Sequence, residues 1–385
     1  MKNKLLILFR WMVGVVFVFS GFVKGIDPTG LQYKLDDYLE ALNLKVFGFL
    51  EFPNSFLLPF AEFAVGVALL TGIMIRYSTK LALAFMVFFT PLTLYIALKN
   101  PVTDCGCFGD ALVITNWETF YKNIVLILMA ITLVINIKDL RFISNEKFRQ
   151  VIFSIFIVGY ISVVYWSYNH EPIIDFRPYK IGANIPDGMK VPEGAATDIY
   201  QTTYYYKNLK SEEVKKFSDR DFPWQDTINW KFVSMDPPKL IRQGYRPPIH
   251  DFSIQNVNNE ILTDFYLQDS LFTFIVVSYD LQKSNHKKQN DLNLLANWAK
   301  AKGFHFIGLT STSGVALEKY KNEQLPAYEI MFADQITLKT IIRSNPGLIL
   351  LRKGTVKGKW HYNDFPIPQE AESIVNTEMN KKLNP

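Results

Sequence analysis

Cysteine is almost missing from this chain. There are two in 385 residues, Cys105 and Cys107, and they sit two positions apart. With Asp104 and Asp110 they make a poor zinc site, because structural zinc takes four nitrogen or sulfur ligands. His170, His250, His286, His305 and His361 add no paired-histidine motif, so no metal is expected. No nucleotide-binding loop, nucleophile elbow or Ser-His-Asp order occurs. Basic residues are spread out, giving a net charge of only +5, and no basic stripe carries interleaved aromatics, so no nucleic-acid partner is expected. Low-complexity tracts and solenoid-period repeats are also missing. Finally, no small-x-small cleavage site follows the first apolar run; Lys24 and Asp27-Pro28 follow instead, so the run is expected to be an uncleaved first span and not a signal peptide.

What is present is apolar and uneven. Hydrophobic residues make up 49% of the chain and phenylalanine occurs 31 times, with nearly all the long runs before residue 170. Five runs, about 5–23, 56–75, 81–98, 117–137 and 151–168, each approach the ~20 residues that cross a bilayer. Residues 1–169 are therefore expected to be an all-α transmembrane bundle in lipid. Lys2, Lys4, Arg10, Arg76, Lys80, Lys138, Arg141, Lys147 and Arg149 fall on one side. Lys24, Lys34 and Lys45 fall on the other, offset by Asp27, Asp36, Asp37, Glu40 and Glu51. The positive-inside rule puts the first set in the cytoplasm. The N-terminus is then cytoplasmic, and the cysteine loop and everything after residue 169 lie in a bacterial periplasm. Leu31, Leu35, Tyr38, Leu39, Leu42 and Val46 recur at helical spacing between the first two spans. This predicts an amphipathic helix, either on the outer membrane surface or packed on the periplasmic domain.

A thiolate is a nucleophile, and with a second thiol nearby it carries two electrons. Gly106 supplies the bend between the sulfurs. Cys105 and Cys107 are thus candidate redox cysteines; the competing reading is a structural pair. Charged groups inside a span are costly in lipid. Glu62 lies roughly 9 Å below the outer end of the second span at helical rise, and Lys122 and Asn123 lie at similar depth in the fourth. Tyr95 and Thr93 sit near the outer end of the third, and Lys24 ends the first. The topology turns these groups toward one layer under the cysteine loop. Two readings stand: a polar pocket for a redox headgroup or a proton path, formed by Glu62, Lys122, Asn123, Tyr95 and Lys24, or a Glu62–Lys122 ion pair holding the bundle.

Residues 1–140 resemble the DoxX/MauE-like redox-associated membrane proteins. The resemblance rests on Gly21-Phe-Val-Lys24-Gly25-Ile-Asp27-Pro28, on Glu62, and on Cys105-Gly-Cys-Phe-Gly109 followed by Trp117-Glu-Thr-Phe-Tyr-Lys-Asn123. It implies a four-helix bundle broadly similar to the disulfide-forming quinone reductases, and a role in disulfide maturation or quinone-linked sulfur oxidation.

Residues 170–249 are punctuated by proline, with strand composition at Ile199–Tyr206, Val214–Phe217 and Trp230–Met235, and read as a small β-containing insert. Residues 250–385 alternate strands (271–279, 304–309, 328–332, 348–351, 356–360) with helices (291–301, 314–322, 338–342, 368–378), an α/β rhythm. Their order resembles a thioredoxin-like fold, in which Asn345-Pro346 falls at the cis-proline position. That fold's redox cysteines would fall at Ser278–Asn285, where this chain has none. Pro346, Asn345 and Tyr279 are candidates for holding a substrate or partner; a pure scaffold is the alternative.

Two functions follow. One is a membrane thiol-disulfide oxidoreductase that oxidises periplasmic protein thiols and passes electrons to quinone. The other is a non-enzymatic anchor or assembly subunit of an envelope protein complex, with a structural disulfide.

Overall fold

The computed structural model describes residues 2–102, 105–140, 145–242 and 244–380; Asp104 and Arg141 lie outside the described residues. The membrane half contains α1 (Lys2–Gly25), α2 (Pro28–Ala41), α3 (Glu51–Thr71), α4 (Ile75–Lys99), α5 (Asn116–Ile135) and α6 (Glu146–Asn169). Among the described residues, α1, α3, α4, α5 and α6 account for the five helices long and apolar enough to span a bilayer, and the protein is a multi-pass membrane protein. Local signals set the boundaries. The Asp27 carboxylate accepts the Gly30 N–H at 2.8 Å, and Pro28 occupies the first turn of α2. Thr115 and Glu118 close a reciprocal capping box on α5. Gly72, at φ +76°, ends α3.

The bundle is built on a close crossing of α1 and α3. A side chain on Gly21 would put its first carbon 2.5 Å from the Phe63 nitrogen, and one on Gly66 would sit 2.6 Å from the Val18 nitrogen. Only small residues allow backbones this near, and close packing drives helix association in lipid. α6 leans on this pair through Tyr160, whose ring stacks on Phe63 at 4.3 Å. α4 and α5 pack together, joined by Asn123 Nδ2 donating to Thr93 Oγ1 at 3.1 Å.

Residues 184–252 form a unit of their own. It holds α7 (Ile185–Met189), β1 (Ile199–Gln201), β2 (Tyr204–Asn208), β3 (Val214–Phe217), β4 (Trp230–Met235) and β5 (Lys239–Arg242). β1 pairs with β5, and β2 lies between β3 and β4. The strand expected over 199–206 is therefore two strands in different sheets. The Thr202 N–H, at the break, is taken by the Asp219 carboxylate at 2.9 Å instead of by a ladder. Residues 170–183, expected with this insert, run with the other unit: Gly182 and Ala183 exchange backbone hydrogen bonds with Val356 at 2.8 and 2.9 Å.

The C-terminal region is α/β. It comprises α8 (Thr263–Gln268), β6 (Phe272–Ser278), α9 (Gln289–Ala301), β7 (His305–Thr310), α10 (Gly314–Gln324), β8 (Glu329–Phe332), α11 (Gln335–Ile341), β9 (Gly347–Arg352), β10 (Thr355–His361) and α12 (Pro368–Asn380). The sheet order is β10-β9-β6-β7-β8; β6, β7 and β8 run parallel, β9 runs antiparallel to β6, and β10 forms a hairpin with β9 and so returns in the direction of β6. The Asn345–Pro346 bond leading into β9 is cis. This is the thioredoxin-like arrangement. β6 is buried along its whole length, as a central strand covered on both faces must be. Phe272, Phe274 and Val276 face a core with residues of α9, α10 and α12; burying each such side chain contributes about 1.5–3 kcal/mol.

Candidate functional site

The two cysteines sit in the loop between α4 and α5. Gly106 between them takes φ +62° and Gly109 takes φ +51°, left-handed turns that fold the loop back over the end of α1. Ser20 Oγ of α1 lies 2.9 Å from the Cys107 carbonyl oxygen, and the Tyr38 hydroxyl of α2 donates to the Cys105 carbonyl at 2.5 Å. Phe108 is buried, packed on Phe19 with ring centroids 5.3 Å apart, and the Lys122 ammonium lies 4.2 Å from its ring centre.

Beneath the loop is a cavity of about 550 Å³. Most of its wall is apolar: Val16 and Phe17 of α1, Leu58 of α3, Phe85, Phe88, Phe89 and Leu92 of α4, and Leu126 of α5. Its polar groups gather at the loop end: Cys105, Cys107, Ser20, Lys24, Glu62, Thr93, Lys122 and Asn123. The structure thus brings together six of the residues singled out from sequence, Cys105, Cys107, Lys24, Glu62, Lys122 and Asn123. Tyr95 is not among them; it is 41% exposed and absent from the cavity lining. Two residues from Thr93, it is rotated about 200° around the helix, so one faces inward and the other out.

The ion pair also differs from the expected one. Glu62 is held by Lys24, with Nζ–Oε distances of 2.8 and 2.9 Å, and both are buried. The close crossing at Gly21 carries Lys24 beside Glu62, whereas Lys122 lies over Phe108. Ser20 Oγ, 2.8 Å from Glu62 Oε2, completes the cluster. Sequence reasoning missed Ser20. Its signal was the spacing to Lys24: residues four apart share a helix face.

Both cysteines are free thiols, partly buried. A hydrogen bond from the Cys105 thiol, aided by the Lys122 and Lys24 ammonium groups against the cost of burial, lowers the Cys107 pKa to about 6. The same hydrogen bond, with burial, pushes Cys105 up. Of the two thiols, Cys107 is therefore the one favoured as a thiolate. Its alkylation by iodoacetamide should rise through pH 6 rather than near pH 9, and Lys122→Met should shift that profile upward. A profile for Cys107 centred above pH 8, unmoved by Lys122→Met, contradicts this.

The thioredoxin-like candidates form a second group. The Asn345 amide is used inside its own domain: Nδ2 donates to the Asp280 carbonyl at 2.9 Å, and Oδ1 lies 3.0 Å from Ser278 Oγ. Pro346 is buried. The Tyr279 ring meets Tyr33 of α2 edge-on, with centroids 6.0 Å apart. The face expected to hold a substrate or partner is set against the chain's own α2. That helix also turns Leu31, Lys34, Leu35 and Tyr38 into the cavity, and at Tyr33 it makes the contact with the C-terminal domain that was one of its two expected placements.

Residues 2–136 match the family model described as methylamine utilisation protein MauE, and residues 200–243 match a domain of unknown function, DUF8463. No curated protein matches the chain. Solved structures that resemble its C-terminal part include two from the thioredoxin and peroxiredoxin groups. One is a thiol:disulfide interchange protein of the thioredoxin family from Chlorobium tepidum TLS, at 15% identity and TM-score 0.26, covering 33% of this chain and 92% of that one. The other is the mitochondrial 2-cys peroxiredoxin from Plasmodium falciparum, at 18% identity and TM-score 0.27, covering 35% of this chain and 94% of that one. The N-terminal region is MauE-like and the C-terminal region has a thioredoxin-like fold.

Proposed function

We propose that this protein is a membrane thiol-disulfide oxidoreductase in which Cys105 and Cys107 take electrons from protein thiols and deliver them to a quinone in the cavity below. The observation that carries the reading is that both cysteines open into one largely apolar cavity of about 550 Å³ whose polar end holds Lys24 and Glu62. That volume is within the usual range for a small-molecule site. Aromatic and aliphatic walls suit a ring with a prenyl tail, and the polar end suits its oxygens.

In the first half-reaction a substrate dithiol is oxidised to a disulfide as the Cys105–Cys107 bond is reduced to two thiols. In the second, the S–S bond re-forms, and two electrons and two protons leave the cysteines. A quinone held by the cavity walls, with its oxygens at the polar end near Lys24 and Glu62, would supply the acceptor for both. Cys107, the thiol favoured as a thiolate, is the electron donor. Lys24 and Lys122 stabilise negative charge at the loop end, and Glu62, hydrogen-bonded within reach of Ser20, can hold or pass a proton. We place the protein in a bacterial cytoplasmic membrane, N-terminus inside and thioredoxin-like domain in the periplasm, on the loop charges.

The test uses reduced full-length protein in lipid nanodiscs with ubiquinone or menaquinone. One quinol should form per disulfide regained, without oxygen. Thiols that stay reduced with both quinones sink the reading. They would favour instead the anchoring or assembly subunit, which the lack of cysteine in the thioredoxin-like domain supports.

A further inference from the structure

The cavity and the cysteine loop are covered by α2, and α2 is covered in turn by the thioredoxin-like domain. On its inner side, Leu31 and Leu35 line the cavity, and Tyr38 binds the Cys105 carbonyl. On its outer side, Tyr33 packs against Tyr279, and the Lys339 ammonium lies 4.5 Å from the Tyr33 ring centre. One residue ties the three layers together. Arg343, two positions before Asn345, places Nε 2.8 Å and Nη2 2.7 Å from Asp27 Oδ2, and Nη2 3.3 Å from Asp110 Oδ2. Asp27 begins α2, and Asp110 is three residues beyond Cys107 in the cysteine loop. The Arg343 side chain is 16% exposed, and charge-assisted hydrogen bonds of this kind are the strong ones. Gly30 makes room for it: a side-chain carbon there would come 2.7 Å from Arg343 Nη2.

We propose that α2 is a lid over the redox loop and that the cysteine-free thioredoxin-like domain is its latch, with Arg343 closing it by holding Asp27 and Asp110 together. The inference rests on the reading of Cys105 and Cys107 as the reacting pair. It gives the domain a task that needs no thiol of its own: it occupies the approach that a substrate polypeptide must use, and a substrate reaches Cys105 when the domain lets go of α2. Arg343 is then a positioning residue, since it touches neither sulfur.

The test is the rate at which a bulky maleimide-polyethylene glycol labels Cys105 and Cys107 in the full-length protein in membrane vesicles. It is read beside hydrogen exchange of the peptide covering 28–42. Arg343→Ala should speed labelling about tenfold or more and loosen α2, as expected for loss of charged hydrogen bonds that hold a local closure. Gly30→Ala should do the same by wedging the pair apart, although alanine favours a helix over glycine. It carries the test alone if Arg343→Ala fails to accumulate. Arg343→Lys should label more slowly than Arg343→Ala, and Lys319→Ala, on exposed α10, should match the unaltered protein. Unchanged labelling and unchanged α2 protection in Gly30→Ala and in any folded Arg343→Ala overturn the latch. Labelling needs no quinone, so a chain that opens as described yet forms no quinol would overturn the proposed reaction and leave the lid standing.

Discussion

Replacing either Cys105 or Cys107 with serine should abolish the proposed quinone-coupled thiol oxidation, down to the rate of membranes lacking the protein, and the two sulfurs should not be equivalent in how they fail. Exchange proceeds by attack of a substrate thiolate on one sulfur while the other leaves, and the thiol of lower pKa leaves faster. Once a substrate is bonded to Cys105 that sulfur has no proton to donate, but the Lys122 and Lys24 ammonium groups still favour a thiolate at Cys107, which makes it the expected leaving group. The substrate is then joined to Cys105. Acid-quenching the unaltered protein with a single-thiol substrate, followed by peptide mapping, should find at least about tenfold more adduct on Cys105 than on Cys107. Adduct mainly on Cys107 would mean that access, rather than leaving ability, decides the attack. Full activity in either serine variant would falsify the two-cysteine mechanism itself.

The second large effect is at Lys24. It and Glu62 are both buried, paired at 2.8 Å, and removing one partner of a buried pair leaves an uncompensated charge at a cost of about 3–5 kcal/mol. Lys24→Met should therefore lower the amount of folded protein sharply. Adding Glu62→Gln removes the stranded carboxylate and should restore the level. The restored protein should still reoxidise Cys105 and Cys107 slowly, by roughly 10²-fold, the low end of what a positioned proton-transfer group contributes. Protein level by immunoblot and thiol state by alkylation shift separate the two roles. A double variant that recovers both level and rate makes the pair purely structural.

The competing picture for the same residues, a Glu62–Lys122 pair, shows why spacing alone misassigns partners. Depth along a span follows from rise per residue, so Glu62, Lys122 and Asn123 could be set at one level by counting. Which charge meets which depends on how closely the helices cross, and that is decided where Gly21 lets α1 touch the backbone of α3. Tyr95 failed as a cavity residue for a related reason: level was right and azimuth was not. The strand–helix order of the C-terminal region was legible because periodicity reports local backbone, whereas the cis bond at Pro346 was expected only from the resemblance to thioredoxin-like chains.

Taken by itself, the amino-acid sequence determined five apolar spans, a lone Cys-Gly-Cys loop between two of them, and a thioredoxin-like chain order stripped of its thiols. These are properties of composition, periodicity and residue type, and none requires knowing what packs on what. Tertiary structure alone decided the rest. It joined Lys24 to Glu62, opened the cysteines into an apolar cavity, and brought Arg343 across 316 residues of chain to Asp27 and 233 to Asp110. The physical reason is that charge pairing and cavity shape act over a few ångströms. Distances of that order between residues far apart in the chain are set by packing, which no local pattern of residues records.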